Sequence, residues 1–177
     1  GEIVDPGTLD TFTVNVDWGD GSPLETFALG AGTHTFGLVH TYLNDTPGGY
    51  NIQITLTDDD LGIGTGSVNV TVVNSAPVIL GLGLANPVIA ENGFATVIGV
   101  IQDAGILDTE TLAIDWGDGS PLEFFASAAG QVFSATHQYA DDDPTATPMD
   151  DYLITVTVTD DANDSNTASI IQIVENL

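Results

Sequence analysis

Asp17-Trp18-Gly19-Asp20-Gly21-Ser22-Pro23-Leu24-Glu25 recurs residue for residue as Asp115-Trp116-Gly117-Asp118-Gly119-Ser120-Pro121-Leu122-Glu123. A string this long repeated at a fixed offset of 98 makes the chain one module written about twice. The register extends outward from it. Asp5-Pro6-Gly7-Thr8-Leu9-Asp10-Thr11 aligns with Asp103-Ala104-Gly105-Ile106-Leu107-Asp108-Thr109 at the same offset. His40-Thr41-Tyr42 meets His137-Gln138-Tyr139 at offset 97, and Tyr50 with Asp58-Asp59 meets Tyr152 with Asp160-Asp161 at offset 102. The changes of offset assign the length differences to two loops. Gly1 pairs with Gly99 and Ser75 with Leu177, so the 23 residues from 76 to 98 have no counterpart in the first copy. The expected division is 1–75 for an N-terminally incomplete module and 76–177 for a complete one, the window of a longer array.

Within each copy the dominant period is two. Tyr50, Ile52, Ile54 and Leu56 alternate with Asn51, Gln53, Thr55 and Thr57, as in a strand with one buried face, and Tyr152, Ile154, Val156 and Val158 repeat the pattern. Val14, Val16 and Trp18, matched by Leu112, Ile114 and Trp116, predict a second strand. Phe36, Leu38 and His40, matched by Phe133, Ala135 and His137, predict a third. Beyond the linker Asn74-Ser75-Ala76-Pro77, the alternation predicts one edge strand over 77–90, a turn at Glu91-Asn92-Gly93 and a strand over 94–102. No segment carries a helical period. Short strands divided by Gly, Pro, Asp and Asn over about 100 residues read as a β-sandwich, giving an all-β chain of two tandem sandwiches. The first lacks its N-terminal strands.

Composition narrows function. The chain has no Lys or Arg against 26 acidic residues, a formal net charge of −26. Binding nucleic acid by neutralising phosphates needs cationic side chains, which excludes that partner class. The same deficit disfavours docking on an anionic bilayer, and no apolar run approaches the ~20 residues of a spanning helix. Self-repulsion calls for cations to screen or bind the carboxylates. Cysteine is absent, so neither disulfides nor thiolate metal sites exist, and hard oxygen ligands remain. At 42% apolar residues the chain is folded, not an acidic disordered tail.

The Trp-Gly-Asp-Gly-Ser string, His-X-Tyr, Gly49-Tyr50, and Leu56-Thr57-Asp58 with Val158-Thr159-Asp160 together resemble the PKD (polycystic kidney disease) domain, an immunoglobulin-like β-sandwich of extracellular proteins. The match covers both modules in one order, departing at Asp151, where the pattern has Gly. Trp18 and Trp116 read as core residues continuing an apolar face, although an exposed Trp would be a sugar-stacking platform. His40 and His137 read as buried and bonded to a turn, since no nucleophile motif accompanies them, and no enzyme activity is expected.

An immunoglobulin-like strand order brings Asp103, Asp108, Asp160, Asp161 and Asp164 to one pole of module two together with Asn74. The equivalent pole of module one offers Asp5, Asp10, Asp58, Asp59 and Asp60. Ca²⁺ takes six to eight oxygens at ~2.3–2.6 Å, which suits such pockets. Asp45, and Glu91 with Asp141, Asp142 and Asp143, are candidates for a second junction, in the manner of cadherin arrays. The expected function is a non-enzymatic, Ca²⁺-rigidified repeat of an extracellular, cell-surface or secreted stalk, adhesin or fibre. It would assemble head to tail with other copies of the same module, without membrane insertion. The alternative is an accessory carbohydrate-binding module that contacts surface glycans.

Overall fold

The computed structural model describes residues 1–140 and 147–176. The chain forms two compact units, Gly1–Val73 and Asn74–Leu177. This division falls two residues before the one at 75/76 read from the repeat. Every regular element among the described residues is a strand.

Unit 2 is a complete sandwich. Its strands are β5 (Val78–Leu84), β6 (Val88–Ala90), β7 (Phe94–Gln102), β8 (Thr109–Asp115), β9 (Glu123–Ala128), β10 (Val132–Gln138), β11 (Met149–Thr159) and β12 (Ser165–Glu175), following β1 to β4 of unit 1. They form one sheet in the order β10-β7-β5 and a second in the order β6-β12-β11-β8-β9. The inward faces of both layers supply the core: Ala95, Val97, Ile101, Phe133 and Ala135 from the first, and Leu112, Ile114, Ile154, Val156, Val158 and Val174 from the second. Alternation does this directly, because a period of two places every second side chain on the face that leaves water.

The single strand expected over 77–90 is two strands in different sheets. β5 pairs antiparallel with β7, while β6 runs parallel to β12. Between them Pro87 has no N–H for a ladder, but its carbonyl accepts from Ile173 N at 3.1 Å. The chain therefore changes sheets there and occupies an edge of each.

Unit 1 holds one sheet in the order β2-β1-β3-β4, from β1 (Phe12–Asp17), β2 (Glu25–Leu29), β3 (Tyr50–Asp58) and β4 (Ile63–Val70). Its core is smaller: Val14, Val16, Trp18 and Ile52, with Phe27, Phe36, Leu38 and Tyr42 packed around them. The strand expected at 36–40 does not form. Its unit 2 counterpart β10 is laddered onto β7 throughout, whereas here only the residues around Glu2 stand beside this segment. What remains is the bridge Glu2–Thr35, with Ile3 N donating to His34 O at 2.8 Å and Phe36 N to Gly1 O at 3.0 Å.

The repeated string makes the same turn twice. Asp17 Oδ1 accepts from Gly19 N at 2.9 Å and Asp20 Oδ1 from Ser22 N at 3.0 Å; Asp115 and Asp118 do likewise for Gly117 and Ser120, both at 2.9 Å. Gly19 and Gly117 lie at φ of +79° and +78°, and a Cβ there would come within 2.6 Å of the carbonyl oxygens of Asn51 and Leu153. Only glycine satisfies both demands. Behind the turn Trp18 and Trp116 are 6% and 0% exposed, stacked on His40 and His137 at 4.7 and 4.9 Å between centroids. Tyr42 and Tyr139 donate their hydroxyls to the Trp18 and Trp116 carbonyls at 3.0 and 2.7 Å.

Candidate metal centre

In unit 1 the loop before β1 and the β3–β4 hairpin set three carboxylates together. Asp5 Oδ1 accepts from Gly7 N at 2.8 Å, closing a tight turn that aims the following residues back over the loop. Gly7 has no Cβ at the place where one would strike the Asp10 carboxyl group, so Asp10 folds across the turn. In the hairpin, Gly62 N donates to Asp58 Oδ1 at 2.6 Å, and Leu61 takes a left-handed φ of 71°. Thr11 N donates to Asp59 Oδ1 at 2.9 Å, tying the hairpin to the start of β1. As a result one oxygen from each of Asp5, Asp10 and Asp58 lies within 4.8 Å of the others, all three partly buried. Asp10 is raised above its ordinary pKa, first by burial and then by Asp5, Asp59, Asp60 and Asp58.

Unit 2 repeats the loop frame, but among the described residues it does not bring three carboxylate oxygens within 4.8 Å of one another. Asp103 Oδ1 accepts from Gly105 N at 2.9 Å, and the Asp108 carboxyl group lies against Gly105 where a Cβ would stand. Asp164 N donates to Asp160 Oδ1 at 2.8 Å, with Asn163 at φ 71°. Asn74 Nδ2 donates to Asp160 Oδ2 at 2.8 Å and to Asp164 Oδ2 at 3.0 Å, fastening the first residue of the unit to this hairpin. Asp108 and Asp160 are buried, and the Asp103 Oδ2 is enclosed without a hydrogen-bond partner. Asp161 is exposed beside them.

Sequence reasoning passed over one residue here. Glu110 is 1% exposed, on the inward face of β8 with Leu112 and Ile114, and neither carboxylate oxygen has a hydrogen-bond partner. Burial, then Asp103, Asp160, Asp108 and Asp161, push its pKa up to about 7. The available signal was parity: Glu110 stands two before Leu112, in the apolar register of its strand.

The second-junction candidates lie elsewhere. Asp45 precedes β3, at the end opposite Asp58, and its N–H is held by Asn44 Oδ1 at 3.0 Å. Glu91 precedes β7, at the end opposite Asp103, with its N–H donating to Glu175 O at 3.0 Å. Among the described residues neither is part of a gathered carboxylate trio. Asp141, Asp142 and Asp143 lie outside the described residues.

His40 and His137 contact carboxylates and, among the described residues, no nucleophile. His40 Nε2 donates to Asp20 Oδ2 at 2.7 Å and His137 Nε2 to Asp118 Oδ2 at 2.8 Å. Ser22 and Ser120 bond the same aspartates from the other side through their backbone N–H groups, so each imidazole meets a turn-bound carboxylate, whereas a nucleophile needs the base beside it. The two Trp rings, stacked inside, present no face to a ligand. No helix among the described residues is long and apolar enough to cross a membrane.

No protein-family model matches the sequence, and no curated protein does. Among solved structures, the chain is similar to the PKD domain of an M14-like peptidase from Thermoplasmatales archaeon SCGC AB-540-F20, at 18% identity and a TM-score of 0.49, over 58% of this chain and 99% of that one. It is similar to the PKD1 domain of Vibrio anguillarum Epp at 22% identity and a TM-score of 0.39, over 59% of this chain and all of that one. The FN1-FN3 domains of chicken CNTN1 align at 9% identity and a TM-score of 0.38, over 94% of this chain and 56% of that one.

Proposed function

We propose that this chain is a non-enzymatic structural repeat of an extracellular stalk, adhesin or fibre, stiffened by Ca²⁺ at the acidic pole of each sandwich. The observation that carries the reading is the trio Asp5, Asp10 and Asp58, with oxygens inside 4.8 Å, in a chain that has no Lys or Arg to neutralise it. Like charges this close repel, and a cation bound between them reverses the sign of the interaction. Two oxygens on one Ca²⁺ at ~2.4 Å stand at most about 4.8 Å apart, so the spacing fits a shared ion. The donor set also fits, being hard carboxylate oxygen, with Asp59 alongside and Asn74, Asp160 and Asp164 in the matching frame. Partly open sites with few ligands match the ~10⁻⁴–10⁻³ M affinities of extracellular Ca²⁺ modules.

Assembly with further copies belongs to the same reading. It is supported by an open groove of about 350 Å³ in unit 1, lined by Ile3, Phe36, Ile54 and Leu56. A strand from another module, added to an open edge, covers such a surface by ordinary ladder pairing.

The decisive experiment is thermal melting in saturating Ca²⁺ and in EGTA at equal ionic strength, with Mg²⁺ as a control. A ligand that binds only the folded state raises the melting temperature by mass action. Equal melting temperatures in Ca²⁺ and EGTA would overturn the reading.

A further inference from the structure

β8 and β1 are the same strand of the repeat, and their inward faces differ in polarity at one position. In β1 that face reads Phe12, Val14, Val16; in β8 it reads Glu110, Leu112, Ile114. All six side chains are buried, Glu110 to 1% exposure and Phe12 to 6%. An ionised carboxylate in an apolar layer costs several kcal/mol unless something of opposite charge meets it. Both Glu110 oxygens are enclosed without a hydrogen-bond partner, as is Asp103 Oδ2. The charged groups facing Glu110 come from two loops, Asp103 and Asp108 after β7, and Asp160 and Asp161 after β11, and every one is acidic. No Lys or Arg exists in the chain, while His40 and His137 are bonded to Asp20 and Asp118 beside the tryptophans. Enclosed oxygens without hydrogen-bond partners on two separate elements of one acidic pole, with no cationic side chain facing them, are a donor set lacking its cation.

We infer that Glu110 is a ligand of a divalent cation held within unit 2, giving this unit a more deeply buried and more strongly binding site than unit 1, where Phe12 closes the same position. The inference rests on the calcium reading above and adds to it that the two sites are unequal. Each added carboxylate strengthens attraction for a hard divalent ion, and enclosure keeps water from competing. The partly buried trio of unit 1 exchanges its ion more readily than the enclosed site of unit 2.

The test is calorimetric titration of the whole chain with CaCl₂, for the wild type, Glu110→Gln and Glu110→Met. Two affinity classes are expected in the wild type. In both variants the tighter class should weaken by about tenfold or more, with the weaker class unchanged. Circular dichroism in EGTA should show both variants folded, because each removes a buried charge; if both unfold there, the carboxylate supports the fold without metal and the inference falls. Two classes in the wild type with unaltered affinities in the variants would mean that Glu110 carries a proton and not a cation, overturning the inference and leaving the calcium reading intact. No heat of binding in the wild type would remove the calcium reading itself.

Discussion

Asp20 performs two jobs with one carboxylate: Oδ1 caps the turn at Ser22 N, and Oδ2 receives the His40 ring proton. Hydrogen bonding from Ser22 and then from His40 holds its pKa at about 2, well below the ordinary carboxylate value. In unit 2 burial raises Asp118, but Ser120 and His137 outweigh it and leave the group lowered. A depressed pKa in the folded state means the unfolded chain binds protons first as pH falls. The stabilisation is therefore present above about pH 4 and lost as pH drops through about 2. Because acid also relieves the repulsion of a −26 chain, the wild type alone is a poor gauge. Asp20→Asn should melt below the wild type at pH 6, and the gap should narrow as pH falls below about 4 and close only below about pH 2, where the native side chain also becomes neutral. A gap that stays constant across that range would show that Asp20 acts through geometry and not through charge.

At the scale of elements, a strand is only as regular as its neighbour. Residues 36–40 carry the same apolar alternation as β10, yet they form no ladder because the strand they would pair with is not laid beside them. Hydrogen exchange by NMR should report this. Amides at 37–40 should exchange at least about tenfold faster than the ladder-bonded amides of β10, since unbonded backbone opens without cooperative cost. Equal protection in the two segments would mean that a second layer exists over unit 1. The β5–β6 region fails in the opposite sense. Its apolar run reads as one strand, but Pro87 and the twofold demand for edge pairing split it between sheets. Period two reports that a residue alternates in and out; it does not report which sheet holds the strand.

For the molecule as a whole, the two units test how much of a sandwich one layer supports. In unit 2, β5 brings Leu82 and Leu84 onto the core, and Ala168 and Ile170 of β12 lie against it. The matching strand β4 is exposed along nearly all its length, with Val68 52% exposed. A synthetic peptide of residues 76–98, the segment with no counterpart in the first copy, should occupy that face by strand addition. It should raise the lower melting transition of the full chain, and a scrambled peptide should not; no shift at millimolar peptide would count against assembly through this surface. Much of this was readable in advance. Alternation and glycine-bound turns are local, so the repeat alone determined the all-β class, the strands at 50–58 and 149–159, the Trp-His stack as core, and the acidic loops as partners. Gathering of Asp5, Asp10 and Asp58 followed from loops whose chain order already placed them at one pole. The tertiary structure decided what depends on the neighbour: the missing ladder at 36–40, the sheet change at Pro87, and the enclosure of Glu110. A glutamate in sequence carries the same charge wherever it stands. Only the second layer closing over β8 takes its water away, and that loss of water is what turns an ordinary acid into a demand for a cation.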